Sequence, residues 1–79
     1  MKLRVKYFAL LREQRGQEEE TLETLAATPK ALYEELCAHH GFSLPVTKLM
    51  VAVNEQFGAW EQSLHDGDEV VFIPPVAGG

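Results

Sequence analysis

The chain ends Pro74-Pro75-Val76-Ala77-Gly78-Gly79, and the group there with chemical potential is the α-carboxylate of Gly79. Glycine lacks Cβ and reaches backbone conformations closed to other residues, so Gly78 and Gly79 can thread a narrow tunnel in a partner and deliver that carboxylate unhindered. An α-carboxylate has a reference pKa of about 3.5, and the anion resists attack by a nucleophile until it is activated. Adenylation by ATP is the simplest activation: a partner's persulfide or thiolate then attacks the acyl-adenylate and leaves a C-terminal thiocarboxylate. Pro74 and Pro75 stiffen the root of this flexible arm in an extended form and raise the effective concentration of its tip in the tunnel. A terminal Gly-Gly by itself is weak evidence, since frayed coil ends in the same way.

Other reactive side chains offer less. Cys37 could carry a persulfide of its own, but it falls on an apolar helical stripe with no basic neighbour arranged beside it, the profile of a packing cysteine. His39 and His40 are adjacent and point in different directions on a helix. No Cys or carboxylate stands at a zinc-ligand spacing from them, so neither a metal nor a bound cofactor is expected. Their positive forms suit the C-terminal end of a helix dipole, which gives them a structural account. No grouping of nucleophile, base and acid appears, nor a phosphate loop or paired catalytic carboxylates, so the chain is not expected to be an enzyme on its own. Glu18-Glu19-Glu20 reads as a solvated strand edge.

Composition narrows the class further. A length of 79 residues fits one domain, 1–79, with 74–79 as its extended tail. A net charge of −5, from 7 basic and 12 acidic residues, disfavours nucleic acid, whose phosphates need clustered Lys and Arg. No apolar run approaches the roughly 20 residues that span a bilayer, and Met1 to Lys6 lacks the apolar stretch of a signal peptide. A cytoplasmic protein without membrane contact is expected, and a single cysteine suits a reducing compartment.

The elements that must position the tail follow from periodicity. Residues 2 to 7 alternate, with Leu3, Val5 and Tyr7 on one face and Lys2, Arg4 and Lys6 on the other, which predicts a half-buried strand. Ala9 to Gln14 predicts a short helical turn, and Glu18 to Leu25 a second strand after Gly16. Thr28 is a helix N-cap followed by Pro29 at the first helical position. The helix should run to His40, burying a stripe of Leu32, Tyr33, Leu36, Cys37 and His40, and stop at Gly41. Leu49 to Val53 and a return at Phe57 predict a hairpin around Asn54-Glu55-Gln56. Glu69 to Ile73 predicts the last strand, after the turn Asp66-Gly67-Asp68. This order, α+β with one main helix crossing a small mixed sheet, is what a β-grasp fold requires.

The string Asp66-Gly67-Asp68-Glu69-Val70-Val71-Phe72-Ile73-Pro74-Pro75-Val76-Ala77-Gly78-Gly79 resembles the end of the molybdopterin synthase small-subunit family, a ubiquitin-like β-grasp family of sulfur carriers. Phe8, Ala9, Arg12 and Glu13 match that family's N-terminal pattern, and Val51-Ala52-Val53-Asn54 is similar to its third strand. Glu18-Glu19-Glu20 and residues 42–47 match nothing in the family pattern. The resemblance implies that an adenylating enzyme akin to ubiquitin activators uses ATP to charge Gly79, and that a sulfurtransferase or cysteine desulfurase supplies sulfur. It further implies that the tail donates this sulfur to cyclic pyranopterin monophosphate on the large synthase subunit, within a heterotetramer, in molybdenum cofactor biosynthesis. The large subunit would then provide the catalytic basic residues. Sulfur carriers of thiamin or cysteine biosynthesis share the fold and the Gly-Gly end but resemble this chain less in the Phe72 to Val76 segment. A ubiquitin-like protein tag or a plain binding module is the alternative of a different class.

Strand parity adds an observation independent of the family. Phe8 shares a face with Lys2, Arg4 and Lys6, and Ile73 one with Glu69 and Val71; large apolar groups on a polar face predict an interface. Phe57 can join them, so that Phe8, Phe57 and Ile73 would grip a partner while the arm enters its active site. The opposing account is that they sit under loops or the helix edge.

Overall fold

The computed structural model describes residues 1–75. Strand β1 (Lys2–Tyr7) alternates as its sequence does, with Leu3, Val5 and Tyr7 fully buried. Helix α1 (Ala9–Arg15) follows at once and ends at Gly16, which takes the left-handed conformation (φ 81°) and returns its N–H to the Arg12 carbonyl. Strand β2 (Glu19–Glu23) pairs antiparallel with β1. Helix α2 (Pro29–His40) starts where Thr28 Oγ1 accepts from the Ala31 N–H at 3.2 Å and stops at left-handed Gly41 (φ 68°). One 3-10 turn (Val46–Lys48) leads into β3 (Met50–Val53), β4 (Gln56–Phe57) and finally β5 (Glu69–Ile73).

The five strands form one mixed sheet in the order β2-β1-β5-β3-β4. β5 lies in the middle, parallel to β1 and antiparallel to β3. The parallel β1–β5 pair needs a long crossover, and the helical segment between them supplies it. Leu32, Tyr33 and Leu36 of α2 are buried in one cluster with Leu3, Val5, Tyr7, Val51, Val53, Val70 and Phe72 from a single sheet face. Removing such a side chain back to Ala costs about 2–5 kcal/mol. Aromatic packing closes the core: Tyr33 stacks on Phe42 with ring centroids 5.9 Å apart, and Trp60 stacks on Phe72 at 5.8 Å. This is the ubiquitin-like β-grasp arrangement that the element order predicts.

Two turns fix where β5 begins. Asn54 and Glu55 both have positive φ (51° and 69°), the backbone that a tight hairpin between β3 and β4 requires. Asn54 then uses its side chain as a clip, donating to Asp68 Oδ1 at 2.8 Å and accepting from the Glu69 N–H at 3.0 Å. In the turn before β5, Gly67 has φ 88° and donates its N–H to the Lys2 carbonyl at 2.7 Å, while the Lys2 N–H donates to Asp66 Oδ1 at 2.7 Å. The start of the last strand is therefore tied to both neighbours.

Two strand boundaries and one loop depart most from the sequence expectation. β2 stops at Glu23 instead of reaching Leu25, because the ladder ends at the Lys2–Glu23 pair and Thr24 Oγ1 accepts from the Ala26 N–H at 2.9 Å, bending the chain. That bend leaves Leu25 96% exposed. Leu49 closes the 3-10 turn rather than opening β3. Residues 42–47, silent in the sequence, hold Phe42, which is buried among Tyr7, Tyr33 and His40.

Candidate functional site

β5 delivers the chain to the tail. Its ladder with β1 ends at Tyr7–Phe72 and its ladder with β3 at Met50–Ile73, after which Pro74 is buried and Pro75 exposed. Proline lacks an N–H, so a strand can end there without leaving a ladder donor unpaired. Val76, Ala77, Gly78 and Gly79, the remaining residues of the predicted arm, lie outside the described residues.

Cross-strand partners share a face, so register places the side chains on the side of the sheet away from α2. Lys6 pairs with Val71, Val71 with Ala52, and Ala52 with Phe57; one step closer to the tail, Ile73 pairs with Met50. Phe8 continues the β1 parity in an extended conformation (φ −126°, ψ 154°) before the chain turns into α1. Phe8, Phe57 and Ile73, the residues predicted to grip a partner, are thus gathered on one open face. Phe8 is 45% and Phe57 63% exposed, and Ile73 is half-buried. They do not sit beneath the helix.

Two neighbours on this surface escaped the sequence analysis. Met50 is 56% exposed on the same face, and parity relative to buried Val51 and Val53 is the signal that could have found it. Leu10 joins Phe8, Ala9, Glu13, Leu44, Ile73, Pro74 and Pro75 around a groove of about 630 Å³ at the tail root. Its signal is faint: Leu11, next to it, is buried, and adjacent helical residues diverge. The groove also owes its shape to Ala9, whose φ of 50° turns the chain sharply from β1 into α1. A non-glycine residue in that region costs about 1–2 kcal/mol.

Away from the tail the open face becomes ionic. Glu69 Oε2 lies 2.9 Å from Arg4 Nη2 and 3.5 Å from Lys6 Nζ. Such exposed pairs add little stability and instead give the apolar patch a charged margin.

Glu18-Glu19-Glu20 is only partly the solvated edge its sequence predicts. β2 is an edge strand, but Glu20 turns inward: Tyr7 donates its hydroxyl to Glu20 Oε2 at 2.6 Å, and Arg15 donates Nε and Nη2 to the two oxygens at 2.8 and 2.9 Å. The Arg15 hydrogen bonds hold the Glu20 pKa down to about 2, against the opposing effect of burial, and burial with the Glu20 bond raises that of Tyr7. His40 Nε2 stands 4.0 Å from Glu20. Burial, aided by the Arg15 cation, lowers the His40 pKa, which corrects the expectation that the helix dipole favours its positive form. Cys37 is half-buried against the core, as a packing cysteine. Among the described residues no group of three or more His, Cys, Asp and Glu side chains could hold a metal, and no helix is long and apolar enough to cross a membrane.

Comparison with known proteins gives a consistent result. A model of the ThiS family matches residues 5–79. The molybdopterin synthase sulfur carrier subunit of Haemophilus influenzae is 40% identical over 81 residues, covering 98% of this chain and 99% of that protein. Among solved structures, SAMP1 from Haloferax volcanii superposes with a TM-score of 0.83 at 25% identity, covering 100% of both chains. A chain from the protein-protein complex of subunits 1 and 2 of the molybdopterin-converting factor of Helicobacter pylori superposes with a TM-score of 0.70, also at 25% identity and full coverage of both chains.

Proposed function

The chain belongs to the ThiS family, and from that membership we propose that it is the sulfur carrier subunit of a molybdopterin synthase, carrying sulfur on the carboxyl carbon of Gly79. The full-length likeness to a carrier subunit of that enzyme supports the assignment, and the likeness to a chain solved in complex with a second converting-factor subunit supports a two-subunit arrangement. The observation that carries it on this chain is the Met50–Ile73 pair. The last ladder position before Pro74-Pro75 lies on the open apolar face, so a partner that covers this face also receives the tail.

The chemistry follows from what a carboxylate lacks. The Gly79 carboxylate attacks the α-phosphorus of ATP on a ubiquitin-activator-like enzyme, releasing pyrophosphate and making the carbonyl carbon electrophilic. A persulfide supplied by a sulfurtransferase or cysteine desulfurase displaces AMP, and a second thiol cleaves the resulting acyl disulfide to leave a thiocarboxylate. The large subunit then takes this sulfur for cyclic pyranopterin monophosphate, and Gly79 returns as a carboxylate. This chain contributes the arm and the grip; the activating and receiving partners contribute the catalytic groups and hold ATP and pterin. Phe8, Phe57 and Ile73 form the grip, and Pro74 to Gly78 the reach.

Deleting Gly79, or extending the chain beyond it by one residue, should abolish molybdenum cofactor synthesis in cells that depend on this carrier while the domain stays folded. Cofactor synthesis at the normal level with either variant would refute the assignment.

A further inference from the structure

The open face carries an oxidisable atom beside the root of the tail. Met50 is 56% exposed, and its partner across the ladder is Ile73, the residue that hands the chain to Pro74. On the same face stand Ala52, two residues along β3, with Val71 and Phe57 paired to it. The other sulfur-bearing residues are placed differently. Met1 packs partly buried against the core, with its ammonium donating to the Thr24 carbonyl at 2.9 Å. Cys37 is half-buried on α2, which covers the opposite face.

Methionine suits an adaptable docking surface because its thioether is unbranched and polarizable, but peroxide converts it into a polar sulfoxide. We propose that Met50 is a peroxide-sensitive modification site whose oxidation releases the carrier from the partner that covers its open face, a conclusion that rests on the docking role assigned above. In the step, the Met50 sulfur attacks one oxygen of a hydroperoxide. The O–O bond breaks, an S–O bond forms, and the second oxygen leaves as water or an alcohol after taking up a proton. Sulfur loses two electrons and the peroxide gains them. The new oxygen is a strong hydrogen-bond acceptor set beside Ile73 and the Ala52–Val71 row, none of which carries a side-chain donor. Covering it therefore strips its water without replacement. Reversal needs a methionine sulfoxide reductase, because ordinary thiols restore a sulfenic acid or disulfide at cysteine but not a sulfoxide.

The test treats the full chain with hydrogen peroxide, quenches, adds dithiothreitol to reverse sulfenic acid and disulfide, and keeps only material in which Cys37 carries no added oxygen by mass. Peptide mass analysis should show one added oxygen on Met50 before Met1. Titration calorimetry against the molybdopterin synthase large subunit should show binding weakened about tenfold or more, the scale of one unpaired polar group buried in an interface. Met50→Leu should keep one affinity before and after peroxide, whatever that affinity is, and Met50→Gln should bind more weakly than Met50→Leu. Equal affinity of the Met50-oxidised and untreated chains overturns the proposal, as does a Met50→Leu chain that loses affinity on treatment. An untreated chain that does not bind the large subunit at all overturns the docking role itself, and this inference with it.

Discussion

Ile73 and Met50 face one another across the β3–β5 ladder, on the side of the sheet that α2 leaves open. This one pairing sets the last residue before Pro74-Pro75 into an apolar surface shared with Phe8 and Phe57. The open apolar face and the Pro74-Pro75 root of the tail are therefore adjacent.

Phe8→Ala should weaken binding to the large subunit by more than about fivefold, since truncating a central aromatic anchor typically costs over 1 kcal/mol of affinity. Phe8 is 45% exposed, so the melting temperature should hardly change. Calorimetry and thermal unfolding on the same sample separate the two effects. Unchanged affinity would remove Phe8 from the grip.

Acid should find out Glu20. Its pKa is about 2 in the fold, against an ordinary value of 4.5, so between those values the unfolded chain takes up a proton that the native chain refuses. The Glu20 contribution is complete above about pH 4.5, declines as pH falls towards about 2, and is absent below. Urea midpoints of the native chain and Glu20→Gln should therefore differ most above pH 5 and converge towards pH 2. A constant gap across that range would show that the Arg15 and Tyr7 bonds do not depend on the charge.

Much of this architecture was legible beforehand, and the parts that were not share a cause. The β1 alternation, the Thr28 and Gly41 caps of α2 and the Asp66-Gly67-Asp68 turn are local signals, written in neighbouring residues, and the structure keeps them. Parity alone put Phe8 and Ile73 on the open face. Glu20 was misjudged because its partners are distant in the fold's logic: Tyr7 and Arg15 meet it only once β2 pairs with β1 and α1 packs beside them. Met50 was missed because an apolar run such as Leu49 to Val53 hides which side is covered until the β3–β5 register is known. The early end of β2 depends on one side-chain bond, Thr24 to the Ala26 N–H, that no periodicity records.

Cys37→Ala should leave sulfur transfer intact. The thiol is half-buried against the core on the helix that covers the far face of the sheet, and the proposed chemistry routes sulfur through Gly79. Single-turnover transfer to the large subunit, measured with the folded variant, checks this directly. A folded Cys37→Ala chain unable to deliver sulfur would move the carrier function from the tail to the helix.

The most direct measurement is the intact mass of the chain after incubation with ATP, the activating enzyme and a sulfur source. Replacement of one oxygen by one sulfur, lost again when Gly79 is removed by carboxypeptidase, is the expected result. A mass that does not change under conditions that charge an established carrier, or a sulfur that stays with the chain after Gly79 is removed, would contradict the account.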